Sequence, residues 1–172
     1  MRAAHKTGVA AELKALMLAE PKLTLAVAES LTAGNVQAQI AGVSGASGYF
    51  LGGLTVYSIK EKVRLLGVNR ASAKEVNGVS ARVAEEMARG AADLFGADLA
   101  VATTGYAEPS RADGVASPMA WWAIAHRRGR RVTILSGRVE CPGERRVAVQ
   151  QIVAGAVLAE LAAYLRVWRR AR

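Results

Sequence analysis

Apolar positions along the chain change period several times, and each change marks an element. Residues 8–19 (GVAAELKALMLA) repeat their apolar positions every three to four residues, predicting a helix that Pro21 ends. Leu23 to Glu29 (LTLAVAE) alternates and is rich in strand formers, so a buried strand is expected. Thr32 to Val43, rich in Ala and Gln, fits a short helix. Phe50 to Ser58 reads as a second strand, with Gly52-Gly53 marking a bulge or a close backbone approach. Lys60 to Leu66 is helical and stops at Gly67. Ser80 can cap an amphipathic helix with Val83, Met87, Ala91 and Leu94 on one face, ending at Gly96. Asp98 to Thr104 is a third strand, and the polar segment 105–117 (GYAEPSRADGVAS) is long enough to be a functional loop. Met119 to Ala125 and Arg131 to Val139 pair as a hairpin around Arg-Gly-Arg, and Glu144 to about Arg166 forms a long final helix. Helices alternating with strands, plus one hairpin, predict the α/β class: a three-layer α/β/α sandwich around a mixed, mostly parallel sheet. No repeat or linker divides the sequence, so 1–172 reads as a single domain.

Composition narrows the function classes. About half of the 172 residues are apolar, enough for a full-sized core. The one cysteine, Cys141, excludes a disulfide framework and points to a reducing compartment. The opening segment MRAAHKTGVAAELK has no continuous apolar stretch of the kind a secretory signal needs. No uninterrupted apolar run reaches the roughly 18 residues of a membrane span. A cytoplasmic location without a membrane partner is therefore expected. The net charge of +9 is concentrated late: from Arg127 onward there are eleven arginines against three glutamates. The clusters at 127–131 and 166–172 could meet a polyanion. However, no aromatic platform or nucleic-acid module accompanies them, and the first falls in an expected hairpin turn, so a solvated surface is the preferred reading.

Candidate chemistry gathers in the first two thirds of the chain. In open α/β sheets, ligands collect at the carboxyl ends of strands. Two polar turns are expected there: Glu29-Ser30-Leu31-Thr32-Ala33-Gly34, and the turn containing Thr104, Gly105 and Tyr106. Free N–H groups at the helix start after the first, with the Ser30 and Thr32 hydroxyls, would suit a phosphate or carboxylate; ordinary capping fits the same residues. The stretch Ser44 to Lys62 (SGASGYFLGGLTVYSIKEK) holds Ser47, Tyr57 and Lys62, a nucleophile and two proton carriers sufficient for acyl chemistry. Spacing alone does not separate such a trio from a loop serine and a surface lysine. His5 and His126 are the only histidines, and no Cys/His cluster has metal-ligand spacing. With no Walker A or G-x-G-x-x-G sequence either, no cofactor is expected.

The blocks AESLTAG (from Ala28), SGASGYFLGGLTVYSIKEKVRLLGV and VSARVAEEMARGAADLFGADLAVATTGYA resemble, in order and spacing, the CinA C-terminal domain family. That family includes nicotinamide mononucleotide (NMN) amidohydrolases, and the chain is similar to its stand-alone form. The resemblance implies hydrolysis of the NMN carboxamide to nicotinate mononucleotide and ammonia, by a homo-oligomer acting on a small-molecule nucleotide. It implies Ser47 as nucleophile, with Lys62 and Tyr57 relaying the proton. The Gly45 to Gly48 loop, including Ala46, would hold the oxyanion, and the phosphoribosyl group would lie on Glu29, Ser30, Thr32 and Gly34 and on Thr104, Gly105 and Tyr106. The pattern departs at Leu31 (usually Cys), Ala33 (Gly), Ile59 (Asn), Glu108, Ala120 and Val149, where an arginine is expected. A catalytically silent or substrate-shifted relative, and a basic nucleic-acid module, are the alternatives.

Overall fold

The computed structural model describes residues 4–172, with side chains from Gly8 onward, so residues 1–3 of the opening segment and the His5 side chain lie outside it. Five strands form one mixed sheet: β1 (Leu25–Glu29), β2 (Phe50–Thr55), β3 (Leu99–Tyr106), β4 (Met119–Arg128) and β5 (Arg131–Glu140), in the order β2-β1-β3-β4-β5. β1 runs parallel to both β2 and β3, and β4 and β5 are antiparallel additions. The helices are α1 (Ala4–Leu18), α2 (Asn35–Ala41), α3 (Ile59–Leu66), α4 (Arg70–Glu75), α5 (Ala81–Phe95) and α6 (Arg146–Arg170). The expected three-layer α/β/α sandwich is the architecture found.

Alternation along the strands divides the core into two layers, because successive strand side chains point to opposite faces. On one face Leu25 and Val27, Leu99 and Val101, and Trp122 and Ile124 meet α1, α2 and α6. On the other, Ala26 and Ala28, Ala100 and Ala102, and Ala123 and Ala125 meet α5. The alanine face brings α5 close to the sheet. The same economy of side chains holds between helices: a Cβ on Gly90 of α5 would stand 2.1 Å from the Leu66 carbonyl oxygen of α3. Buried α5 residues are Val83, Ala84, Met87, Ala88, Ala91 and Ala92, while Leu94, expected on that face, is exposed.

Local signals match several boundaries. The Ser80 hydroxyl accepts from the Val83 N–H and caps α5, and Gly96 ends it in the left-handed conformation. The pairing of β1 with β2 shifts register beside Leu51, and Gly53 lies against the Val27 carbonyl where a Cβ would come within 2.8 Å, as the glycine pair suggests. α4, capped by Asn69, is an addition to the expected elements. α6 has the length and hydropathy to cross a membrane, yet eight of its residues, from Val149 to Leu165, are buried within the domain.

The connections fix where a ligand can bind. From β1 the chain crosses through α2 to β2 on one side, and from β2 it returns through α3, α4 and α5 to β3 on the other. The strand order reverses at β1, so a crevice opens outside the carboxyl ends of β1 and β3.

Candidate functional site

A cavity of about 500 Å³ occupies that crevice. Ser30 and Leu31 line it from the end of β1, Tyr57, Ser58, Ile59 and Lys62 from the start of α3, and Thr104 to Ser110 from the end of β3; Arg146 of α6 borders it too. The Ser30 N–H donates to the Thr103 carbonyl, and the Val56 N–H to the Glu29 carbonyl, so neighbouring strand ends hold the turn in place.

Lys62 comes to this turn because α3 starts immediately beyond β2. Ser58 caps α3, accepting from the Glu61 N–H, and Lys62 follows one helical turn later. Its side chain runs inward and is 3% exposed. The amine lies 2.8 Å from the Ser30 hydroxyl, 2.9 Å from the Val56 carbonyl and 3.3 Å from the Tyr57 carbonyl. None of these three partners is a carboxylate, and burial pulls the amine pKa down to about 8. The amine donates to all three oxygens, and once it loses a proton its lone pair can instead accept from the Ser30 hydroxyl.

The predicted site residues separate into three groups. Ser30, Tyr57, Lys62, Thr104, Gly105 and Tyr106 come together around the cavity. Glu29, Thr32 and Gly34 adjoin it from within the fold. Glu29 is fully buried, and its carboxylate accepts from the N–H groups of Gly34, Val36 and Gln37 at 2.9–3.1 Å. The anion site at the start of α2 is thus filled by the protein's own carboxylate, which stands where the sequence suggests a phosphate or carboxylate ligand. The Thr32 hydroxyl is spent on Thr103 at 2.6 Å.

Gly45, Ala46 and Ser47 form the third group, in a short 3-10 turn ahead of β2. Phe50 is paired with Leu25, and the Leu25 N–H donates to the Tyr49 carbonyl, so this turn lies at the amino ends of the parallel strands. Lys62 lies beyond the carboxyl end. The six residues of β2 alone hold the two ends about 17–20 Å apart. Ser47 and the expected oxyanion loop are therefore not brought to Lys62; the serine at the amine is Ser30. The Tyr57 ring is exposed, and its hydroxyl accepts from Arg146 at 3.3 Å, while its main-chain oxygen meets Lys62.

Two further residues shape the cavity. Arg146 donates to the Glu108 carboxylate at 2.6 Å, so the acid is paired at the cavity mouth, and the guanidinium holds its carboxyl below the usual range. Asn77, on the connection between α4 and α5, donates to the Tyr106 hydroxyl at 3.3 Å and to Asp113 at 3.4 Å, tying the loop after β3 to the helical layer. Leu31, Ala120 and Val149, three of the departures from the family pattern, lie together: with Ala107, Cys141 and Val153 they form a single apolar cluster behind the site. Cys141 belongs to that packing, its thiol pushed up by burial. Among the described residues no His, Cys, Asp and Glu cluster could hold a metal ion.

The fold recurs in solved structures. A CinA-superfamily protein of Klebsiella pneumoniae superposes with a TM-score of 0.86 at 27% identity, covering 95% of this chain and 99% of that one. A competence or damage-inducible protein of Enterobacter asburiae does so at 0.84 and 28% identity, covering 93% and 98%. Sequence relatives include a CinA-like protein of Chlorobium limicola, 49% identical over 98 residues, or 57% of this chain and 23% of that protein. Another, from Chlorobaculum tepidum, is 52% identical over 93 residues, 54% of this chain and 22% of its own. The matched stretch thus spans less than a quarter of these relatives. The family model of the CinA C-terminal domain matches residues 7–165, and the chain belongs to that family.

Proposed function

We propose that this domain hydrolyses a carboxamide, with Ser30 as nucleophile and Lys62 as its general base, and that the substrate is nicotinamide mononucleotide. The observation that carries the reading is the 2.8 Å contact between a buried amine and a hydroxyl at the edge of an open cavity. A serine is a weak nucleophile until a neighbouring base accepts its proton, and a desolvated lysine is such a base. The choice of NMN rests on the family resemblance.

The neutral amine takes the Ser30 proton as the oxygen attacks the carboxamide carbon. The resulting ammonium returns that proton to the nitrogen as the C–N bond breaks, releasing ammonia and leaving an ester on Ser30. Water then attacks the ester, Lys62 accepting its proton and passing it back to the serine oxygen. The products are nicotinate mononucleotide and the starting enzyme. The Leu31 N–H, first after the nucleophile, is the candidate oxyanion donor. Tyr57 supplies a main-chain acceptor to Lys62, and a phenol at the mouth of the cavity.

Ammonia release from NMN tests the reading. Ser30→Ala is expected to lower kcat/KM by roughly a thousand-fold or more. Ser47→Ala, altering an exposed turn at the opposite sheet edge, should stay within about threefold of the parent. Loss of activity in Ser47→Ala with retention in Ser30→Ala would reverse the assignment. No ammonia from NMN, but release from another amide, would support the substrate-shifted alternative.

A further inference from the structure

We infer that Arg146 is the anion-recognition residue of this cavity, and that Glu108 competes with the ligand for it; this rests on the amidase reading for its substrate but not for its site. Lys62 and Arg146 are the two cations lining the cavity, and Glu108 is the carboxylate that lines it. Lys62 is committed at the floor to Ser30 and two carbonyls. The helix start that follows β1, that of α2, has three N–H groups taken by Glu29, and at the start of α3 the Ser58 hydroxyl takes the Glu61 N–H. Among the described residues lining the cavity, Arg146 is therefore the cation that can turn to meet a ligand anion.

Arg146 is placed for that task. It stands at the start of α6, partly exposed, with one guanidinium nitrogen on Glu108 and the other on the Tyr57 hydroxyl at 3.3 Å. Both partners line the same cavity as Ser30. An exposed ion pair contributes little and exchanges readily, whereas a phosphate offers a guanidinium two oxygens in the forked geometry it prefers. A ligand with its amide at Ser30 and a phosphate or carboxylate at the mouth would displace the Glu108 side chain and keep the Tyr57 hydroxyl beside the anion. The class of ligand read by this chain is thus an amide that carries an anionic group, and the strength of reading is set by Glu108.

The test measures binding without turnover. Inorganic phosphate is titrated into the parent, Arg146→Ala and Glu108→Gln proteins by 31P line broadening. NMN and its dephosphorylated nucleoside are titrated calorimetrically into the same proteins carrying Ser30→Ala. Arg146→Ala is expected to weaken phosphate about tenfold and to erase the preference for nucleotide over nucleoside. Glu108→Gln should tighten phosphate by up to about fivefold. Thermal unfolding confirms that the variants are folded, and Arg146→Lys should retain part of the affinity as a point charge. Equal phosphate affinity in the parent and Arg146→Ala, or weaker binding in Glu108→Gln, overturns the proposal. Phosphate binding that follows this pattern in a protein releasing no ammonia from NMN leaves the anion site standing and defeats only the amidase assignment.

Discussion

Lys62 is the residue whose environment makes the strongest claim on chemistry. A lysine 3% exposed, with no carboxylate among its three hydrogen-bond partners, has its proton held less firmly than in water. With the amine pKa near 8, the protonated form predominates below that value and cannot accept the Ser30 proton. The rate should therefore climb as pH rises from 6 to 9, with its midpoint near 8, and a kcat/KM profile for ammonia release checks this. A profile flat across that range would remove Lys62 as the base. Lys62→Met should abolish the climb together with the activity, at a cost of roughly a thousand-fold. Sequence reasoning singles out Lys62 but joins it to Ser47, since the two share one stretch of chain. The available signal was topological: residues following two parallel strands share a sheet edge, and a residue preceding one lies at the other. Ser30 follows β1 and Lys62 follows β2, separated by 32 positions in sequence and 2.8 Å in space. Arg146 carried no comparable signal, because its place at the cavity depends on how α6 docks.

At the scale of elements, α2 shows how local structure positions Ser30, the proposed nucleophile. Its cap is a left-handed glycine with no side-chain bond, so the first N–H groups need another acceptor. Glu29, the last residue of β1, folds its carboxylate back onto three of them and thereby fixes the turn in which Ser30 sits. Glu29→Gln replaces one acceptor oxygen by a donor and removes the charge. The expected loss is about 2 kcal/mol of stability, read from denaturant midpoints, with a fall in kcat as Ser30 loses its position. Most elements are legible because their periods are clear and their ends are marked, as at Ser80 and Gly96 around α5. α4 is not, since its six residues hold one buried side chain, Ala73, and make no period. Leu94 misleads for a related reason: α5 buries Val83 and Met87 together with four alanines against an alanine face, so its inner side does not need a large apolar residue at every turn. Gly90→Ala should be destabilising although alanine favours helix, because the new methyl meets the Leu66 backbone rather than a movable side chain. Thermal denaturation gives the sign.

Over the whole molecule, the layers follow from strand alternation, but the order β2-β1-β3-β4-β5 does not, and the order decides where the cavity opens. The arginine-rich end illustrates the same dependence on long-range packing. Arg166 bridges Glu12 of α1, Arg169 donates to the carbonyls of Ala19, Glu20 and Pro21, and Arg127 pairs with Asp93. These contacts give part of the late charge a structural use. Beneath them, His126 of β4 is 1% exposed, its ring nitrogen 2.7 Å from the Tyr164 hydroxyl, with Trp168 edge-on to the ring. Burial, reinforced by Arg128, pulls its pKa from 6.5 to about 4. A base with a lowered folded pKa binds fewer protons folded than unfolded between those values, so stability rises with pH across that window. The contribution is whole above about pH 6.5 and is lost as pH falls toward 4, on the order of 3 kcal/mol at most for this one residue. Unfolding free energies of the parent and of His126→Phe, measured from pH 7 down to pH 4, isolate it from the carboxylates both proteins share. The parent should lose more stability over that span than the variant, and parallel curves would show that His126 is protonated in the fold as readily as in the unfolded chain.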